Sequence, residues 1–151
     1  MEEQKPKINL VSVSEVPGAT ALNRIVLRRL EQQQHVSVDI NVKVVPDLDG
    51  SMISLVVSCT YIAQIGVLRY RVLTSSVIAT FEVENLREHV VVSGEDVVVD
   101  DHIMLTMLSI SVGALRGVVA VRTAGTALRH RPLPVIDLRA LLYRLHYGRK
   151  K

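Results

Sequence analysis

A change in hydrophobic period near residue 100 constrains this 151-residue chain more than any other feature of the sequence. From Val36 to Val44 the even positions are apolar and the odd positions polar, which is the two-residue period of a strand with one solvated face. From Asp100 onward, apolar side chains recur at i, i+3 and i+4, the period of an amphipathic helix. Strands followed by helices predict an α+β fold.

Three further segments of the first part are predicted to be strands. Ser51 to Gln64 is apolar on both phases, and Leu68 to Glu84 is rich in Val, Thr, Tyr and Phe, residues that favour strands. Asp49-Gly50 is a favoured hairpin dipeptide between the first two strands. A shorter strand is indicated around Ile8, Leu10 and Val13. Together these segments predict a four-stranded antiparallel sheet.

The second part is predicted to contain a long helix over about residues 101–122, with Asp100 and Asp101 suited to its N-terminus. The valine run near its C-terminal end favours a strand locally, so propensity alone leaves both alternatives open. Gly113 and Gly117 predict that this helix approaches another backbone closely.

Two other segments favour helices. Residues 21–34 carry apolar side chains at helical spacing. Asp137 is predicted to cap a short amphipathic C-terminal helix, which Gly148 ends before a basic tail. Residues 89–99 are compatible with a small hairpin or an apolar crossover loop. The chain is predicted to be one domain over residues 1–151, with 7–99 mainly strands, 100–122 the long helix, 123–135 a loop and 136–147 the C-terminal helix.

Composition restricts the functional classes. No stretch approaches the roughly 18 uninterrupted apolar residues of a membrane-spanning helix, so no membrane insertion is expected. The polar N-terminus does not favour a secretory signal, and the single cysteine excludes an intramolecular disulfide, which fits the cytoplasm. Residues 1–101 carry 9 basic and 14 acidic side chains, whereas residues 102–151 carry 9 basic and 1 acidic. This split indicates either an anion-binding C-terminal part or two parts that attract each other.

Catalytic and metal-binding patterns are poorly represented. The histidines are scattered without metal-ligand spacing, and Ser111 lies in the helical pattern instead of on a strand-to-helix turn. Cys59, within an apolar strand, is predicted to be a small core residue. No enzyme activity, metal or cofactor is therefore expected. Nucleic-acid binding through Arg129-His130-Arg131 and the basic tail remains an alternative, although no recognised motif accompanies these residues.

An oligomer is predicted from the sheet itself. A four-stranded sheet with helices on one face leaves its other face open, and several strands are apolar on both phases. Large exposed apolar patches are rare on monomers and mark interfaces or binding grooves.

The order of the predicted segments and five stretches of sequence carry a resemblance to a known family. The stretches are Asp100 to Met104, Ser111 to Gly117, Thr123 to Thr126, Leu133 to Asp137 and Leu141-Leu142. They resemble the SecB-like protein-export chaperone family, whose long helix carries a central Ala/Thr-Arg, followed by Arg-Gly-Thr and a Pro-leucine-Pro-Val segment before the closing helix.

This resemblance implies a holdase that binds unfolded polypeptides or preproteins without ATP, in apolar grooves of a dimer or tetramer. Family grooves are partly aromatic, whereas the matching positions here are mostly aliphatic, which predicts weaker or different client binding. The predicted lining residues are Leu30, Val36, Val77, Ile78, Phe81, Met107, Leu108 and Ala114.

The partners implied by the resemblance include the motor SecA, which family members meet through acidic surface. This chain has a net charge of +3, so the sequence does not favour SecA as a partner. A second alternative with the same fold is a dedicated chaperone of one labile partner, such as an antitoxin. Binding that collapses with salt would instead favour the nucleic-acid alternative.

Overall fold

A computed structural model describes residues 5–30 and 34–147, with only the backbone of Tyr147. The predicted basic tail at residues 148–151 and part of the predicted helix over residues 21–34 lie outside this description. The strands are β1 Ile8–Glu15, β2 Ala21–Leu22, β3 Val36–Asp47, β4 Met52–Ile65, β5 Leu68–Val83, β6 Val90–Ser93 and β7 Asp96–Val99. The helices are α1 Arg24–Arg29, α2 Leu86–His89, α3 Asp101–Thr123 and α4 Leu138–Tyr147, with a 3₁₀ helix at Ala127–His130.

The main sheet has the strand order β1-β5-β4-β3, with every neighbouring pair antiparallel, and the short β2 also pairs with β5. The predicted α+β fold with an antiparallel sheet, a long helix and a short C-terminal helix is therefore confirmed. β3 and β1 are the two edges of the four long strands. Pro46 lies within β3, which an edge strand tolerates because one side of its backbone has no strand to pair with.

The two faces of the sheet differ in chemistry. One face presents the buried side chains of β4 and β5, such as Leu55 and Phe81, and α3 packs against it. On the opposite face the hydroxyl oxygens of Ser54 and Thr80 lie 2.8 Å apart. Polar side chains on this second face therefore hydrogen-bond to each other across neighbouring strands. Val56 and Ile78 nevertheless form an apolar pair at its centre.

The long helix is confirmed, because burial of its apolar side chains outweighs the strand propensity of its valine run. Asp100 is the N-cap residue of α3 and Asp101 lies in its first turn, as predicted. The side chain of Asp100 makes no capping hydrogen bond, and its Oδ2 lies 2.6 Å from Nδ1 of His89 instead. Asp137 does cap α4, since its Oδ1 accepts from the N–H groups of Arg139 and Ala140 at 3.1 Å each.

The outer side of α3 is nearly free of charge. Its exposed residues there include Ile110, Gly113, Gly117 and Val121. By length and composition α3 could cross a membrane, with a mean hydropathy of 1.8, but 44% of that window is buried inside the fold. Core helices share this composition, so the observation is weak evidence for a membrane span. Outside the backbone of α3 itself, no described atom lies within 4 Å of a Cβ placed on Gly113 or Gly117, so their predicted close approach to another backbone does not occur among the described residues.

Three segments differ from or refine the predictions. In the described part of the helix predicted over residues 21–34, only the six residues of α1 are helical, because Ala21–Leu22 pairs with β5 and Leu30 is extended. The predicted loop after α3 contains the 3₁₀ helix. Within residues 89–99, His89 ends α2 and residues 90–99 form the β6–β7 hairpin, which resolves the choice between a hairpin and a crossover loop.

Candidate functional site

The eight residues predicted to line a groove do not share one open surface. Four of them are fully buried in the core that α3 and the sheet form, three are partly buried against that core, and Ile78 lies on the opposite face of the sheet. Whether any of the eight contacts a client stays a prediction. The fully buried ones are Val77, Phe81, Met107 and Leu108, and the partly buried ones are Leu30, Val36 and Ala114.

A groove of about 790 Å³ runs beside the outer edge of β3. It is bounded by β3, the β6–β7 hairpin, the first turns of α3, and α4. We call it the edge groove. Its apolar lining includes Val42, Val44, Val97, Met104, Leu142 and Leu145.

The backbone of β3 points toward this groove at alternate residues. Gln64 N–H donates to the carbonyl of His35, so odd-numbered residues of β3 direct their backbone groups toward β4. Even-numbered residues must then direct theirs outward. Arg144 supports this assignment, because it donates to the outward carbonyl of Ile40 at 3.4 Å.

Val42 and Val44 therefore offer outward N–H and C=O groups at the groove. Neither has a strand partner on this side within the described residues, because β3 ends the sheet. Their side chains also face the groove and the core, whereas Val45 lies on the opposite face of the sheet with Ser54. At Pro46 the outward row has no N–H, which ends the series of donors.

Charges at the groove are mixed in sign. Lys43 and His146 lie among its lining residues together with Glu95 and Asp96 of the hairpin turn. His146 Nε2 is 3.6 Å from Asp101 Oδ1. This mixture does not favour a ligand of one charge, so apolar contact and backbone hydrogen bonding dominate what the edge groove can offer.

The β6–β7 hairpin extends this apolar surface. Its base is fixed by buried Val90 and Val99 and by the N–H of Asp100, which donates to the carbonyl of His89. Beyond the base, Val91 is 66% exposed. A projecting hairpin with apolar side chains on both faces is a typical feature of an interaction surface.

A second concave region lies between α1 and the 3₁₀ helix. Two adjacent cavities there, of about 640 and 230 Å³, share residues 125–127 as a wall. Gly125, at φ +77°, makes the turn out of α3, and Thr126 caps the 3₁₀ helix through its side-chain oxygen. We call the surface around the two cavities the basic surface. Its side chains include Arg24, Arg28, Leu30, Ala127, Arg129 and His130.

The core groups with shifted pKa values do not point to catalysis. Burial raises the pKa of the Cys59 thiol to about 11 and that of the Tyr61 hydroxyl to about 12. Tyr61 donates to the carbonyl of Arg131 at 3.1 Å, which holds the loop after α3 against the sheet. Cys59 is buried, as predicted for a core residue. Within residues 5–30 and 34–147, no group of three His, Cys, Asp or Glu side chains could hold a metal ion.

Sequence reasoning missed the edge groove, which contains none of the eight predicted residues, while Leu30 alone lies at the basic surface. The sequence nevertheless contains a feature that indicates the edge of the sheet. Pro46 follows an alternating strand, and proline inside a strand pattern indicates an edge. That inference would have directed attention to Val42 and Val44.

Comparison with known proteins gives one informative likeness. No family model matches the chain, and no curated protein matches it by sequence. Among solved structures, it is similar to the Mycobacterium tuberculosis SecB-like chaperone Rv1957, described in complex with a ChAD peptide from the HigA1 antitoxin. The match covers 85% of this chain and 90% of that chain, with a TM-score of 0.50 and 18% identity. At this identity the likeness concerns the fold, and it confirms the predicted SecB-like architecture.

Proposed function

We propose that this chain, with its SecB-like fold, is an ATP-independent chaperone that binds non-native polypeptide segments along the edge groove. The observation that carries the proposal is the outward backbone of Val42 and Val44 beside an apolar groove of about 790 Å³. A binding surface of this kind recognises an extended segment instead of a folded domain.

The mechanism is the addition of a strand to the sheet. An extended client segment exchanges N–H and C=O hydrogen bonds with Val42 and Val44 and becomes the strand beyond β3. Because side chains alternate along a strand, every second client residue faces Leu142, Leu145 and the rest of the groove, and the others face solvent. Backbone bonding makes binding tolerant of sequence, while the groove selects apolar side chains.

One edge groove is expected to bind a client segment with moderate affinity. Each backbone hydrogen bond contributes about 1 kcal/mol net, and each well-buried aliphatic side chain contributes about 1.5–3 kcal/mol. Ordering an unfolded client opposes both terms. Micromolar affinity for one segment, increased by several sites in an oligomer, suits a protein that must hold and then release its clients.

We propose that the chain forms a homo-oligomer through the outer side of α3. Ile110 and Val121 are exposed there, and Gly113 and Gly117 lie one turn apart with open space above them. Small residues at this spacing let two helices approach closely. A second copy would cover this uncharged face and bring edge grooves of different copies into one particle.

Two client ranges are compatible with this site. One is the general set of unfolded polypeptides, including preproteins bound for export. The other is a single labile partner, and the solved neighbour, described with an antitoxin peptide, motivates testing it. Comparing affinity for several unrelated unfolded proteins with affinity for one antitoxin segment separates a general holdase from a dedicated one.

The test of the proposal is suppression of aggregation. A chemically unfolded client is diluted into buffer with a roughly stoichiometric amount of the protein, and light scattering is followed at low and moderate salt. Leu145→Gln, which places a polar group in the groove, should lower suppression. Leu68→Gln is the matched control, because Leu68 is exposed and distant from the groove lining. Equal suppression by both variants, or none by the folded wild type, would contradict the proposal.

A further inference from the structure

We propose that the basic surface between α1 and the 3₁₀ helix selects acidic segments of client polypeptides. This inference rests on the proposed function, because it concerns which clients the chaperone prefers. Its basis is a concentration of arginines around a cavity that also exposes apolar side chains.

The charged side chains among the described residues that line this surface are all basic. Arg24 and Arg28 come from α1, and Arg129 and His130 from the 3₁₀ helix that contacts it. None of the described residues lining either cavity is an aspartate or glutamate. The fold therefore brings together basic side chains that lie about 100 positions apart in the sequence.

Arg24 and Arg28 differ from Arg87 and Arg122 in having no carboxylate partner in the described part of the structure. Arg122 Nη2 lies 2.7 Å from Glu15 Oε2, and Arg87 is paired with Asp49 at the same distance. Arg24 and Arg28 are exposed and make no ion pair with any residue of 5–30 or 34–147. Their guanidinium groups remain able to bind a carboxylate from outside in a two-bond geometry.

The shape of the surface suits a peptide. A cavity of about 640 Å³ is large enough for one or two side chains, and Leu30 and Ala127 give it an apolar wall. No Phe, Tyr or Trp lines either cavity, so the stacking platforms on which single-stranded nucleic acids rely are missing among the described lining residues. An extended segment that combines Glu or Asp with Leu or Val matches both the charge and the wall.

The location also allows cooperation between the two surfaces. The basic surface lies near the Tyr61 end of β4, because Tyr61 donates to the carbonyl of Arg131 next to the 3₁₀ helix. The edge groove flanks β3 at Val42 and Val44, which pair with Val57 and Leu55 further along β4. A long unfolded client that reaches both sites gains affinity from each without a new contact.

The experiment compares two peptides and two charge-matched double variants of the full chain. The probes are a short unstructured peptide carrying Glu and Leu residues and its Glu→Gln counterpart, with binding followed by fluorescence anisotropy. Arg28→Gln/Arg129→Gln removes two charges from the basic surface. Arg87→Gln/Arg139→Gln removes two charges elsewhere and is the control, since neither residue lines the two cavities.

Wild type should prefer the acidic peptide about tenfold, and the preference should disappear in the first double variant and persist in the control. Raising the salt concentration should reduce the preference, because these arginines are exposed. No preference in wild type, or equal loss in both double variants, would overturn the inference. Tighter binding of a single-stranded oligonucleotide than of the acidic peptide would also overturn it in favour of a nucleic-acid site.

Failure of the proposed function gives a different pattern. Aggregation of an uncharged unfolded client would then proceed in the presence of wild type and of both double variants. If the chaperone function holds and only the inference fails, all three proteins suppress aggregation equally and bind both peptides alike.

Discussion

The edge groove and the basic surface recognise different parts of a polypeptide. The edge groove offers outward backbone groups from β3 beside aliphatic side chains, and its charges are mixed. The basic surface offers arginine side chains from α1 and from the 3₁₀ helix. The first should bind extended chains largely without regard to charge, while the second should discriminate among them by charge and weaken with salt.

This difference shows how one small fold can be both permissive and selective. Backbone hydrogen bonding at a sheet edge is available to any extended segment except one rich in proline. The core under α3 supports both surfaces, and its residues Val42, Met104 and Leu142 also line the edge groove.

The largest effect is expected from replacing a core residue. Phe81→Ala removes a fully buried ring between the sheet and α3 and should lower the free energy of unfolding by about 3–5 kcal/mol. Urea denaturation measures this change. If Phe81→Ala keeps its stability but loses client binding, a third surface at the predicted groove residues exists and the two-surface comparison fails.

A smaller effect is expected from blocking the outward backbone of β3. Val44→Pro removes an outward N–H that no strand partner uses, so the sheet should persist while affinity for an uncharged apolar client falls about tenfold. Titration of a labelled extended peptide measures it. Val44→Pro should reduce affinity for the acidic peptide by a smaller factor than affinity for the uncharged client.

Pro46→Val is the reciprocal control for that variant. It restores an outward N–H at the next even-numbered position of the same edge, so client binding should stay equal or become tighter. Weaker binding by Pro46→Val would show that proline is required there for another reason.

A substitution of Gly117, on the outer side of α3, should have opposite effects on the stability of the helix and on the stability of the oligomer. Gly117→Ala should stabilise the isolated helix by about 1 kcal/mol, since alanine restricts the unfolded chain and fits the open space at this position. If α3 packs against another copy, the same methyl group should weaken the oligomer in analytical ultracentrifugation. A more stable protein with an unchanged oligomer would place the subunit contact elsewhere.

The smallest effect concerns acid stability and the Glu15–Arg122 ion pair, which lies outside both surfaces. Hydrogen bonds from Arg122 and Thr20 lower the pKa of the partly buried Glu15. A lowered carboxyl pKa in the folded state adds stability above pH 4.5, the group's usual pKa, and this contribution disappears as pH falls through the lower folded value. Glu15→Gln should therefore flatten the decrease in melting temperature below pH 4.5. An identical pH profile for wild type and variant would show that this pair does not contribute.

Local pattern predicted most of the architecture. Alternation located β3, and apolar or strand-favouring composition located β4 and β5, each within a few residues. Asp137 correctly marked the start of α4. Helical spacing identified α3 despite its valines. Burial of its apolar face against the sheet stabilises the helix by more than the low helix propensity of valine destabilises it.

The candidate site was less accessible to such reasoning. Which strand lies at the edge depends on the order β1-β5-β4-β3, a tertiary property that periodicity does not encode. The apolar residues nominated from pattern were partly core, since a core position and a groove position have the same composition. Arg129 and His130 were visible as a basic pair, but only the fold places α1 beside them.

The central claim is that clients add to the outer edge of β3, and hydrogen–deuterium exchange resolved to single amides tests it most directly. In the free protein the amides of Val42 and Val44 should exchange quickly, because they point outward, while those of Lys43 and Val45 are protected by β4. Binding of an unfolded client should slow exchange at Val42 and Val44. Client binding that leaves both amides exchanging at the free rate would contradict strand addition at this edge.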